Sequence, residues 1–139
     1  MATRKYWLKM VGAASDRLAN NWMEAYPELL REVRSPWRPT GIRSDDILVY
    51  YAAGDKRLFA IARATENGDE VLESPKAGQE RWPYVLHVQV RLAIPTIAQS
   101  PDWDGLGIAG SAVQQKSYIE ITPHQYLLAW ESIVARTKP

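Results

Sequence analysis

The segment YVLHVQVRLAI, residues 84–94, constrains this chain more than any other. Tyr84, Leu86, Val88, Val90, Leu92 and Ile94 alternate with Val85, His87, Gln89 and Arg91. Successive side chains of a strand point to opposite faces, so the alternation asks for a strand with one buried face. Pro95 ends it. Tyr84 shares the inward parity, whereas Trp82, ahead of Pro83 and beside the long polar loop 66–80, falls outside the alternation and is a candidate for ligand contact.

Other strands can be placed around this one. Tyr6 to Val11 is a short strand-like run ending at Gly12. ILVYYAA, residues 47–53, turns through AGDK into a second run, Leu58 to Thr65, which reads as a hairpin. Leu58, Ala60, Ala62 and Ala64 share one face there, and small residues at alternate positions let another element approach closely, as inside a tight barrel. AVQQKSYIEI, residues 112–121, reads as the last strand. Two helices flank the strands. The first is capped by Ser15 and striped by Leu18, Trp22, Met23, Tyr26, Leu29, Leu30 and Val33, with Pro27 kinking or dividing it. The second starts at Thr122-Pro123-His124-Gln125, a cap, an N1 proline and a capping-box glutamine, and its stripe Tyr126, Leu127, Trp130, Ile133 and Val134 is expected in the core. No helical pattern separates the hairpin from the 84–94 strand, so the sheet is antiparallel or mixed rather than built of βαβ units. A small closed sheet with flanking helices, forming one domain over residues 1–139, is the expected architecture.

Catalytic and metal signatures are thin. The chain has no cysteine, which excludes disulfides, thiolate nucleophiles and cysteine zinc sites. His87 and His124 are its two histidines, and neither has an imidazole or carboxylate at ligand spacing along the sequence. GLGIAG, residues 105–110, satisfies G-x-G-x-x-G but follows SPDWD rather than a strand and precedes a strand-like run, so it reads as a loop. Asp45-Asp46 and Asp69-Glu70 sit by turn signals and read as solvated turns. The chain lacks a signal-peptide pattern and any run near the roughly 18 apolar residues of a membrane span, so a cytoplasmic protein without cofactor, metal or membrane attachment is expected.

Aromatic and basic residues stand out instead. Six Trp and seven Tyr accompany a single Phe, and rings with a polar handle suit surfaces that meet a partner. Residues 1–43 hold eight Lys or Arg against four Asp or Glu, and the remainder nine against twelve. Trp37 lies in the loop RSPWRPTGIRSDD among Arg34, Arg38 and Arg43, where guanidinium groups would hold phosphates while the ring stacks on a base. Trp7 and Trp22 read as core.

KYWLKMV, DDILVYYAA followed by RLFAIARATE, RWPYVLHVQV and QQKSYIEITPHQYLLAWESIV together resemble, in order and over nearly the whole chain, the EVE-domain family of the PUA-like superfamily, related to the YTH readers of methylated adenine. The resemblance implies an α+β, mainly β fold, a PUA-like small mixed β-barrel with flanking helices. It also implies a non-catalytic module that flips a modified base of DNA or RNA into an aromatic pocket. Residue by residue, Trp37 matches a pocket tryptophan, Val11 to Ser15 a pocket edge that includes Gly12, Tyr51 the end of the strand beneath it, and Trp82 to Val85 a Tyr-Pro-Tyr stretch. Two departures are visible: Arg38-Pro39 follows Trp37 where relatives often carry Gly-Val, and Gly12-Ala13-Ala14 replaces Ser-Glu-Pro or Asn, leaving backbone groups or Ser15 to contact a base edge. The alternatives are a small-molecule or nucleotide-binding enzyme using the same pocket, with His87 as its acid or base, and a protein interaction module whose exposed aromatics meet a partner chain.

Overall fold

In a computed structural model, which describes residues 3–12, 17–74, 81–102 and 117–137, the alternating segment is the longest strand. The strands are β1 (Tyr6–Val11), β2 (Glu32–Ser35), β3 (Ile47–Ala52), β4 (Arg57–Ala64), β5 (Tyr84–Ala93) and β6 (Tyr118–Ile121), with helices α1 (Trp22–Ala25) and α2 (Pro123–Thr137). They form one mixed sheet in the order β2-β5-β4-β3-β1-β6. β1 and β3 run parallel, and the other neighbours are antiparallel. The sheet curls into a half-barrel. Its inner face gathers Trp7, Val11, Leu48, Tyr50, Ala62, Leu86 and Val88 with Trp22 and Phe59. Its outer face packs Leu8, Met10, Val49, Tyr51 and Ile61 against Ala129 and Ile133 of α2.

Two bulges set the curl and correct the expected faces. Tyr50 pairs with Ala60 and Tyr51 with Leu58, so Phe59 is an extra residue. Phe59 and Ala60 therefore both reach the inner cluster, and Leu58 moves to the outer one instead of sharing a face with Ala60, Ala62 and Ala64. Likewise Ala62 pairs with Val90 and Ile61 with Leu92, leaving Arg91 extra. Tyr84, Leu86, Val88 and Val90 keep their inward parity, while Leu92 and Ile94 turn outward. The displaced Phe59 ring packs edge-on against Trp22 and Tyr50, at 4.8 and 5.6 Å between centroids.

The first helix is shorter than expected. α1 is a single turn, a 3-10 turn Pro27–Leu30 follows, and Val33 lies in β2 rather than on a helical stripe. Pro27 breaks the α pattern. Upstream, Asn20 O and Oδ1 accept from the amides of Ile97 and Ala98, which fixes the chain before Trp22. Trp22 is fully buried and donates from Nε1 to Ile94 O at 2.7 Å. The expected cap, Ser15, lies outside the described residues, as do Gly105, Gly107 and Gly110 and most of the segment expected to lead into β6.

α2 starts as its sequence requires. Gln125 N donates to Thr122 Oγ1 at 3.0 Å, and Thr122 N donates to Gln125 Oε1 at 2.9 Å. The buried face is rotated from the expected one. Ala129 and Ile133 are buried and Tyr126 stacks on Tyr6 at 4.4 Å, so Leu127 and Trp130 are turned outward, 47% and 41% exposed. Small Ala129 lets the helix approach the sheet, and an Ala is easily missed in a stripe of large residues. No helix among the described residues is long and apolar enough to cross a membrane.

Candidate nucleic-acid interface

β2 and β5 bring the two candidate tryptophans to one end of their ladder. Ser35 pairs with Tyr84, so Trp37 follows the last pair by two residues and Trp82 precedes it by two. Both rings are outside, 58% and 44% exposed. The Trp37 loop is nonetheless held. Fully buried Ser35 donates from Oγ to Trp37 O at 2.7 Å.

Arg34 and Arg38 act mainly as struts here, so two of the three expected phosphate-binding arginines are engaged in other contacts. Arg34 Nη1 donates to Ser74 O and Trp82 O at 3.2 and 3.1 Å, and its Nε lies 3.4 Å from Glu32. It thereby ties the Trp82 backbone to β2. Arg38 donates from Nε to Val71 O at 3.0 Å and lies over the Tyr84 ring, 5.5 Å from its centroid. Arg43 is different. Its side chain is exposed in a hollow of about 520 Å³ lined by Thr3, Arg4, Arg43, Ser44, Asp45, Asp46 and Asn67. Arg4 and Arg43 line it together with Asp45 and Asp46.

Asp46 holds this end of the sheet together. It is buried, and its carboxylate accepts from Lys5 N, Trp7 Nε1 and Arg43 N at 3.0, 3.0 and 2.9 Å. The expected solvated turn is thus a buried anchor for half of the Asp45-Asp46 pair. Asp45 is exposed and pairs with Arg63. The loop 66–74 closes against the Trp37 loop at Gly68: its amide donates to Ile42 O at 2.7 Å, and a Cβ there would lie 1.9 Å from Pro39 O.

The remaining candidates lie elsewhere. Tyr51 is buried in the outer cluster under α2, on the face opposite Tyr50, so it packs the core rather than walling a pocket beneath Trp37. Gly12, with φ of +79°, packs near Leu18 where β1 ends, beyond the Val11–Ala52 pair. Ser15 is outside the described residues. His87 is exposed, with Nδ1 3.2 Å from Glu66 Oε2, a carboxylate partner twenty-one positions away that no local spacing announced. Among the described residues no cluster of His, Cys, Asp and Glu could hold a metal.

A polar group absent from the expectations sits inside the half-barrel. Lys9 shares the inward parity of Trp7 and Val11, and it is buried. Its Nζ donates to Arg34 O on β2 at 2.8 Å and to Ser117 Oγ, just before β6, at 2.6 Å. It also lies 4.6 Å from the centroid of the Tyr118 ring. Burial lowers its pKa from 10.5 to about 7. Desolvation pushes the buried Tyr118 hydroxyl above the usual phenol range, partly offset by Ser35. That hydroxyl interacts with the Ser35 side chain, though outside full hydrogen-bonding geometry.

No protein-family model matches the sequence, and no curated protein matches it. Solved structures do match the fold. Rpa0253 from Rhodopseudomonas palustris superimposes with a TM-score of 0.60 at 12% identity, covering 94% of each chain. The YTH domain of the Zygosaccharomyces rouxii MRB1 protein, solved in complex with N6-methyladenosine RNA, gives 0.56 at 9% identity over 92% of this chain and 85% of that one. Human THYN1, solved in complex with 5-methylcytosine-containing DNA, gives 0.50 at 11% identity over 97% and 99%. The fold is therefore PUA-like, of the kind found in YTH domains and THYN1.

Proposed function

We propose that this chain is a non-catalytic reader that takes a modified base of DNA or RNA out of its stack and holds it against Trp37. The observation that carries the proposal is the pair of outward tryptophans at one end of the β2/β5 ladder, one on a loop pinned by Ser35 and the other tied down by Arg34. Large rings on fixed backbone lose little freedom when a base stacks on them. Stacking on an aromatic side chain contributes about 1–3 kcal/mol per base, which offsets an unstacking cost of a few kcal/mol. The fold shared with two proteins solved on modified nucleic acid supports the same reading. Arg43, in the same loop as Trp37, lines a hollow with Arg4 and is the guanidinium left to contact a phosphate.

The test is binding to matched oligonucleotides, single- and double-stranded, unmodified or carrying N6-methyladenine, 5-methylcytosine or 5-hydroxymethylcytosine, at two salt concentrations. The reading expects one modified base to be preferred over a weak, salt-dependent background, and expects Trp37→Ala to remove the preference. Equal binding to all oligonucleotides, or a preference that survives Trp37→Ala, would reject it.

A further inference from the structure

We infer that Glu73 reads the pairing edge of the base stacked at Trp37, and that this base is a guanine made cationic by alkylation at N7. This rests on the reader function proposed above and adds the class of base. Three chain segments meet in one row beside the two tryptophans. Tyr84 pairs with Ser35 of β2 on one side and bridges Glu73, antiparallel, on the other. Side chains directly opposed across such a bridge share a face, and diagonal neighbours, about 7–8 Å apart, remain within reach of long and aromatic side chains. Trp82, two residues before Tyr84, is the diagonal neighbour of Glu73. Their backbones are joined: Ser74 N donates to Pro83 O at 2.7 Å, and Arg34 Nη1 donates to both Ser74 O and Trp82 O.

Glu73 is exposed, and neither nearby arginine takes its carboxylate: Arg34 faces Glu32, and Arg38 is held by Val71 O over the Tyr84 ring. No hydrogen bond or ion pair among the described residues engages it. An ionised carboxylate offers two acceptor oxygens and no donor. Guanine sets two N–H donors, N1 and N2, side by side on its pairing edge, and a carboxylate can accept from both at once. Adenine, N6-methyladenine and cytosine instead place a ring-nitrogen acceptor beside a single amino group, which turns a lone pair toward the carboxylate. Glu73 therefore selects guanine. Alkylation at N7, on the far side of the ring, leaves that edge intact and gives the base a positive charge. Tryptophan faces attract a cation. Trp37 and Trp82, 58% and 44% exposed, supply them, with the opposite charge of Glu73 at the edge.

Glu73→Gln is the decisive variant, because it keeps the shape of an exposed side chain while removing its charge and one acceptor. Binding of wild type, Glu73→Gln and Trp37→Ala is measured to single-stranded RNA carrying one 7-methylguanine, 7-methylinosine, guanine, N6-methyladenine or 5-methylcytosine in an otherwise identical sequence, with thermal melting of each protein alongside. Wild type should prefer 7-methylguanine to guanine by about tenfold, the scale of a cation held over an aromatic face. 7-Methylinosine keeps the charge but lacks the 2-amino group, so wild type should bind it more weakly than 7-methylguanine. Glu73→Gln, melting as wild type does, should lose both distinctions. Should wild type prefer N6-methyladenine or 5-methylcytosine, or Glu73→Gln keep the preference for 7-methylguanine while Trp37→Ala loses it, the assignment of Glu73 falls and the reader stands. Wild type that distinguishes no modified base overturns both.

Discussion

Asp46 accepts from Lys5 N, Trp7 Nε1 and Arg43 N while itself buried, so its removal strands three donors at the end of the sheet that carries Trp37. Asp46→Ala should cost about 3 kcal/mol, read as a lower urea midpoint with an unchanged m-value. Trp37→Ala should behave in the opposite way. Its ring is 58% exposed, so stability should stay within about 0.5 kcal/mol while modified-base affinity drops by the stacking contribution of roughly 1–3 kcal/mol. Arg43→Ala should weaken binding to every oligonucleotide alike and reduce the salt slope by about one. An altered preference among bases in that variant would place Arg43 on a base instead of a phosphate. The exposure of Trp37 followed from its proline-flanked loop, a local signal. The role of Asp46 did not, because its donors come from two loops and a strand that only the fold assembles.

At the level of elements, what was legible was what is encoded locally. The alternation of β5, the β3–β4 hairpin and the capping box of α2 each need only neighbouring residues, and each is present. β2 was invisible because Val33 also fits a helical stripe, and its pairing with Leu86 across the sheet decides its conformation. The bulges at Phe59 and Arg91 reverse side-chain parity without any sequence punctuation. Gly68 shows how such tertiary contacts reach the candidate site. A methyl group there would collide with Pro39 O, forcing the 66–74 segment away from the Trp37 loop. Gly68→Ala should therefore lower the melting temperature and weaken modified-base binding together, whereas Thr122→Ala, at the far helix, should cost about 1 kcal/mol of stability and leave binding unchanged. Full affinity in a destabilised Gly68→Ala protein would show that the two loops do not position Trp37 jointly.

For the molecule as a whole, a buried amine ties β1 to β2 and to the residue before β6, and that ties stability to pH. The parity of Trp7, Lys9 and Val11 was a sequence signal for an inward lysine, though it did not reveal that the side chain would span from β1 to β2 and the segment before β6. Lys9 has a pKa of about 7 when folded against 10.5 for an ordinary lysine. Between these values the unfolded chain binds the extra proton, so the free energy of unfolding rises with pH across that interval. Among the described residues the ionisable side chain against Lys9 is Tyr118, whose phenol, like that of Tyr50, is pushed upward by burial. These two act with the opposite sign: above about pH 10 the unfolded chain loses phenolic protons first, and stability falls. Urea unfolding from pH 6 to 9 should then show wild type gaining stability relative to Lys9→Met, by a few kcal/mol over the interval. A difference that stays constant with pH would mean that the folded protein keeps Lys9 charged throughout, its ammonium satisfied by Arg34 O and Ser117 Oγ, and that burial of the amine imposes no proton-linked cost on the fold.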